Sequence, residues 1–141
     1  MEIFSSFELV FLGNLLLALL YGGLIGIGRE IKKKPAGMRT HSLVVAAAMT
    51  FSYLSPTLGG DDPSRIASQV EIGVGYIGAG IIFQSSRGRI KNLTTAASVW
   101  HSAAVGMALG FGFYLIALSA VGYAIVVTAM PKFSSLINQD S

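Results

Sequence analysis

The chain has 141 residues, of which 52% are hydrophobic and only 12% charged, against roughly 25% charged in ordinary soluble domains. A soluble fold of this length would lack the polar sequence to clothe its surface, so the apolar excess is expected to face lipid or partner helices. The net charge of +3 is gathered between apolar blocks rather than on one exposed face, which argues against nucleic acid. The absence of Cys excludes disulfides, thiolate nucleophiles and Cys metal sites.

Before Asn14 the segment opening Met1-Glu2-Ile3-Phe4 carries neither a basic stretch nor a small-residue cleavage site. The first apolar block is therefore expected to remain as an anchor rather than leave as a signal peptide. A hydrocarbon core of about 30 Å needs about 20 helical residues. Five blocks meet or approach that length, at about 9–28, 41–58, 65–84, 94–110 and 112–130. They predict an all-α integral membrane protein made of one five-helix transmembrane domain over 1–141. Asp62 reads as N-cap of the third helix with Pro63 at its first position. The apolar run from Thr94 to Met130 is too long for one span, and Gly110-Phe111-Gly112 folds it into two, after which Pro131 and Lys132 mark the boundary.

Lys and Arg are retained on the cytoplasmic side during insertion. Arg29, Lys32, Lys33, Lys34 and Arg39 follow helix one, Arg87, Arg89 and Lys91 follow helix three, and Lys132 follows helix five. Opposite loops hold only Arg65, beside Asp61 and Asp62, so the N-terminus is expected outside and the C-terminus in the cytoplasm of a bacterial inner membrane. Residues 23–28 with their basic loop and Thr40 echo residues 75–80 with theirs and Thr95. A parallel two-helix repeat and chance likeness among Gly-rich helices are equal readings of that echo.

Gly73-Val74-Gly75-Tyr76-Ile77-Gly78 has the letter pattern of a dinucleotide fingerprint but lacks the preceding strand and the following acidic residue. Packing is the better reading for these glycines, Gly75 and Gly78 among them, as for Gly22 with Gly26 and Gly106 with Gly110. Asn92-Leu93-Thr94 matches a glycosylation sequon on the wrong side of the membrane, and Asn92 or Thr94 is the expected cap of helix four.

Glu71 stands out. It lies nine residues past Asp62, roughly 13 Å of helix rise, which puts a carboxyl group in the hydrocarbon zone. Ser68, Glu71, Gly75 and Gly78 share helical spacing and are expected to face the bundle interior. His101 and Asn14 lie at comparable depth, so Asn14, Glu71 and His101 are expected to converge near mid-membrane. Two readings of that trio stand level: a proton-linked or cation-contacting site, with Glu71 the weak candidate for a metal, and a hydrogen-bonded lock between helices. In the basic loop, Glu30 is available to pair with Arg29 or Arg39 and Pro35-Ala36-Gly37 makes a turn. The simplest role for that loop is topology and contact with anionic headgroups. Asp61 and Asp62 fall short of the six or so oxygens of a divalent site, and Trp100 reads as packing or an interface anchor.

Gly26-Ile27-Gly28-Arg29-Glu30, with Lys34-Pro35-Ala36-Gly37-Met38-Arg39-Thr40-His41, resembles the signature of the MgtC/SapB family. Residues 73–80 and Asn92-Leu93-Thr94-Thr95-Ala96-Ala97-Ser98-Val99-Trp100 resemble that family's third helix and following loop, in the same order and spacing. The resemblance runs from Leu15 to Met130. It implies a multi-pass protein of the bacterial inner membrane linked to magnesium homeostasis. It also makes Arg29, Glu30, Pro35, Gly37, Arg39, Thr40, Asn92, Thr94 and Thr95 matching motif positions at the cytoplasmic face, forming one site. Longer members continue into a cytoplasmic domain, whereas only Lys132 to Ser141 follow Pro131 here, so a short form is expected.

Two functions follow. The first is a non-enzymatic regulator of membrane partners, for which the family resemblance offers the rotary ATP synthase as one kind of partner. The second is a small oligomeric transporter or channel for Mg²⁺ or protons that uses the Glu71, Asn14 and His101 region. Both favour a homo-oligomer such as a C2 dimer. No resident cofactor is expected, and Mg²⁺ enters only as a transported or sensed ion. An enzyme is the weakest class, because no nucleophile and base stand at a recognisable spacing.

Overall fold

The computed structural model describes residues 5–84 and 90–130. The readings placed on Arg87, Arg89, Pro131 and Lys132 lie outside them. Five helices form the fold: α1 (Ser6–Ile31), α2 (Met38–Leu58), α3 (Ser68–Ile81), α4 (Leu93–Gly110) and α5 (Tyr114–Ala129). Between α3 and α4 a short antiparallel pair, β1 (Phe83–Gln84) and β2 (Ile90–Lys91), sets Phe83 opposite Lys91 and Gln84 opposite Ile90.

Local chemistry explains where the helices depart from expectation. α1 begins before residue 9 because Ser5 and Glu8 make a capping box, the Ser5 hydroxyl accepting from Glu8 N and the Glu8 carboxylate accepting from Ser5 N at 2.8 Å. It runs on through Arg29 to Ile31. α2 begins at Met38 rather than 41, since the Glu30 carboxylate accepts from Met38 N at 2.9 Å and supplies the cap that Gly37 cannot. Pro56 lies inside α2, which continues past it to Leu58. Asp62 does not cap α3. Its Oδ1 accepts from Ser64 N at 3.0 Å and Ser64 Oγ at 2.6 Å, a local turn, and the regular helix starts six residues later. The Ser64 hydroxyl, then the Ser64 amide, hold the Asp62 carboxyl below the ordinary carboxylate range. The same segment is pinned to α2 by Ser55, whose hydroxyl donates to Pro63 O at 2.6 Å and accepts from Ala67 N at 3.1 Å.

The helices run alternately up and down. One end gathers the α1–α2 and α3–α4 connections and the end of α5, where Lys32 Nζ donates to Thr128 O at 3.0 Å. This is the loop end. At the opposite end Tyr53 donates to Phe7 O at 2.7 Å, joining the start of α1 to the end of α2. α2 and α4 form the inner pair, with α1 and α5 on one side and α3 on the other. The first core holds Tyr21 and Ile25 of α1, Met49 of α2, Leu109 of α4 and Val121 of α5. The second holds Val44 and Ala48 of α2, Val70 and Val74 of α3, and Val99 of α4.

Four of the six packing glycines make the inner contacts so close that no side chain would fit. Gly22 lies against the backbone of His41 and Ser42, and Gly26 against that of Gly37 and Met38. From the other side, Gly106 meets the Val45 carbonyl and Gly110 the Met49 carbonyl. α2 is thus gripped between two small-residue seams. Gly78 is buried but only loosely packed, 3.8 Å from Ala96 Cβ on the building of a methyl group, and Gly75 meets nothing and is exposed, against expectation. At the positions matched by the internal echo, Gly26 and Gly78 both face the second helix of their pair, the first tightly and the second loosely.

The outside of the bundle is strongly apolar, with Leu115 80%, Tyr76 76%, Leu43 71% and Leu16 70% exposed. Among the described residues, Ser6–Ile31 is the one helix long and apolar enough to cross a membrane, and Tyr114–Ala129 is a shorter apolar helix.

Candidate functional site

The loop end draws the motif residues together around Arg29. The last turn of α1 buries this side chain to 5% exposure, because α4 packs over it and the six residues after α1 wrap back across it. Its Nε donates to Ala36 O at 3.2 Å, and its Nη2 to Pro35 O at 3.1 Å and to Thr95 Oγ1 at 2.5 Å. One guanidinium therefore fixes the turn between α1 and α2 and ties it to the first turn of α4. Ala36 sits at φ 59° within that turn, and the planar fork of Arg29 holds the carbonyls on both sides of it. No carboxylate among the described residues meets Arg29. The expected pairing with Glu30 is replaced by neutral acceptors, since Glu30 is occupied in capping α2. Gly37 belongs here because a side chain in its place would run into the Glu30 carboxylate.

Asn92 occupies the cap position of α4 in the left-handed region, φ 64°, without capping it. Its Nδ2 donates instead to Ile81 O at 3.2 Å, closing the end of α3. Thr94 is exposed, Thr95 buried, Thr40 half-buried and Arg39 exposed, so Arg39 stands apart from the Arg29 cluster.

A second polar cluster adjoins the first and includes a residue the sequence reading named only as part of the motif. His41 is fully buried, and its Nδ1 lies 2.8 Å from Ser102 Oγ. The Ser102 hydroxyl spends its proton on Ser98 O at 3.1 Å, so it accepts from His41, which places the imidazole proton on Nδ1. Nε2 is buried with no hydrogen-bond partner among the described residues. Ser98 in turn donates to Thr95 O at 3.0 Å, so Thr95, Ser98 and Ser102 carry a line of hydroxyls from Arg29 to His41 along one face of α4. Their spacing of three and four was the available signal, and it aligns with His41 once α2 is known to cross α4 there.

The intramembrane trio does not assemble. Asn14 is buried but donates to Leu109 O at 3.4 Å, joining α1 to α4 near the opposite end. His101 is half-buried with Nε2 3.0 Å from Ala120 O and its ring 5.9 Å from that of Tyr123, both on α5. Glu71 falls in the first turn of α3 and is exposed on the outside of the bundle, with Ser68 and Gly75. α3 turns Val70, Val74 and Gly78 inward instead, the face set by apolar packing on α2 and α4. The described residues include no group of three or more His, Asp or Glu placed to hold a metal.

Residues 15–135 match the model of the MgtC family. The chain belongs to that family. "Protein MgtC" of Brucella abortus is 43% identical over 114 residues, which cover 80% of this chain and 48% of the relative. "Protein MgtC" of Salmonella typhimurium is 42% identical over 107 residues, covering 76% and 46%. The chain spans about half the length of the curated relatives it matches. No solved structure matches. Within this MgtC-family chain the matched segment holds both ends of the Arg29–Thr95 link and of the His41–Ser102 link.

Proposed function

We propose that the chain is a multi-pass protein of a bacterial inner membrane, linked to magnesium homeostasis, that regulates a membrane partner through its loop end and performs no catalysis of its own. The outside is as apolar as the core: Leu16 and Leu115 are largely exposed while Ser52, Ser55, Ser102 and His41 are fully buried among the apolar core residues, which suits lipid as solvent. The single observation that favours regulation over conduction is the scatter of the trio. Asn14, Glu71 and His101 go to three separate neighbourhoods, whereas Arg29, Pro35, Gly37, Glu30 and Thr95 converge on one rigid face. On this reading the loop end is cytoplasmic and the protein works as a homo-oligomer.

A transporter is kept open by one feature, the exposed Glu71, which a second copy would have to cover. Liposomes carrying the purified chain separate the two. Regulation predicts no Mg²⁺ or proton flux from wild type or Glu71→Gln, while Arg29→Gln abolishes support of growth in low magnesium. Flux that Glu71→Gln removes would establish the transporter instead. Orientation is read separately by single-cysteine labelling, which the Cys-free chain makes clean: Lys33→Cys labels from the cytoplasm and Asp61→Cys from outside.

A further inference from the structure

The loop end contains a cavity of about 630 Å³ whose chemistry the regulator reading leaves unused. Three helix ends enclose it. The end of α1 and its connection contribute Arg29, Lys32 and Lys34, the start of α4 contributes Leu93, Thr94 and Thr95 beside Asn92, and the end of α5 contributes Val127 to Met130. We propose that this cavity binds a phosphoryl oxyanion, carried either by a lipid headgroup or by a free phosphate.

Arg29 carries the argument. It is more than nine-tenths buried and lines the cavity, and every acceptor it meets is neutral. A guanidinium removed from water is ordinarily matched by a counter-charge, and none stands among the described residues. A phosphoryl group in the cavity would supply it at Nη1, the one guanidinium nitrogen with no hydrogen bond among the described residues. The start of α4 points the same way. Among the described residues no side chain caps it, and its first internal bond runs from Ala96 N to Asn92 O at 3.0 Å. The amides of Leu93, Thr94 and Thr95 therefore lie outside the helix's own ladder, where an anion is favoured by both hydrogen bonding and the dipole.

The end of α5 is the opposing influence, because its last carbonyls repel an anion. Lys32 already answers them by donating to Thr128 O, which leaves Lys34 as the exposed cation of the wall. Lys33, its neighbour in sequence, does not line the cavity. That difference makes a built-in control, since diffuse surface electrostatics would treat the two lysines alike. The site stands whether or not the bundle regulates a partner, and the binding test below does not depend on any flux or growth result.

Native mass spectrometry of the purified 141-residue chain, released from neutral detergent, reads bound inorganic phosphate and bound phosphatidylglycerol in the same spectrum, with phosphatidylcholine as the control lipid. Saturable adducts with phosphate identify a free-phosphate site. Adducts with phosphatidylglycerol alone, above the phosphatidylcholine level, identify a headgroup site, and either supports the proposal. Lys34→Gln, at an exposed position that leaves the fold intact, is expected to weaken the adduct roughly tenfold while Lys33→Gln leaves it unchanged. Equal losses in the two variants, or no saturable adduct with either probe, would overturn it.

Discussion

Gly106→Ala adds one methyl group where α4 crosses α2, and the same substitution at Gly75 adds one on the outside of α3. At Gly106 the new Cβ would strike the Val45 carbonyl oxygen and stand only 2.8 Å from Ala48 Cβ and 3.0 Å from Met49 N. Two of those three contacts are backbone, which does not turn aside as a side-chain tip would. α2 cannot retreat either, because Gly22 and Gly26 hold its other face against α1. Overpacking costs about 1–3 kcal/mol, and contacts this short with backbone put Gly106 in the upper half of that range, about 2–3 kcal/mol. Replacing a helical Gly by Ala returns about 1 kcal/mol of propensity at either site. The balance is a loss of about 1–2 kcal/mol for Gly106→Ala and a gain of about 1 kcal/mol for Gly75→Ala, whose Cβ meets nothing within 4 Å. For a chain of this length about 4 °C corresponds to each kcal/mol. Thermal unfolding in detergent, followed by helical circular dichroism, should therefore show the Gly106 variant about 4–8 °C below wild type and the Gly75 variant about 4 °C above it. Melting shifts of the same sign in both variants would refute the assignment of the tight seam to α2 and α4.

Thr95→Val removes the hydroxyl that accepts from Arg29 Nη2 while keeping the volume, and is expected to cost about 1.5–3 kcal/mol. Hydrogen exchange should then rise at residues 36–39 and stay unchanged in α5. Glu30→Ala takes the cap from Met38 N and should cost about 1 kcal/mol of stability, whereas Glu30→Gln keeps an acceptor and should recover most of it, both read by the midpoint of thermal unfolding. The Asp62 carboxyl is held below its ordinary value of 3.8, so its folded form binds protons less readily than its unfolded form. The stability it contributes is complete above that value and is lost as pH falls through the lowered one. Ser64→Ala should flatten that acid limb in melting temperature measured against pH, lowering the neutral-pH value slightly and leaving the fully protonated end unchanged.

Apolar blocks and loop charge were enough to read five helices in alternating directions, because both signals are local in sequence. Helix ends were less legible where the cap comes from elsewhere: Met38 is capped by Glu30 from eight residues upstream, and no local pattern at Gly37 announces it. Asn92 shows the reverse, a residue with the composition of a cap that turns its amide to the helix behind it. The MgtC/SapB resemblance picked out Arg29, Thr95 and their neighbours without saying how they meet, since the contact spans 66 residues and depends on how α4 crosses α1. Gly22, Gly26, Gly106 and Gly110 were readable as packing positions because their spacing alone defines a groove.

The misplacement of Glu71 has a physical cause that applies to membrane bundles generally. In water, a polar residue on an apolar helix points outward, and in lipid the same residue is expected to point inward. That rule placed Glu71, Ser68 and Gly75 in the bundle interior. α3 obeys a different constraint. It has only one packed side, against α4 and α2, and Val70, Val74 and Gly78 occupy it with the shape that fits Val44, Ala48 and Val99. Glu71 is also in the first turn of α3, close to the connection from α2, where an exposed carboxylate is helped by the helix dipole and needs no buried partner. Arg29 is the opposite case: a cation at the end of a helix, where long side chains usually reach for water, is instead drawn inward by Thr95 and two loop carbonyls. A charge held that way against its solvation preference lines the loop-end cavity, so the tie between α1 and α4 and the anion site proposed there rest on one side chain.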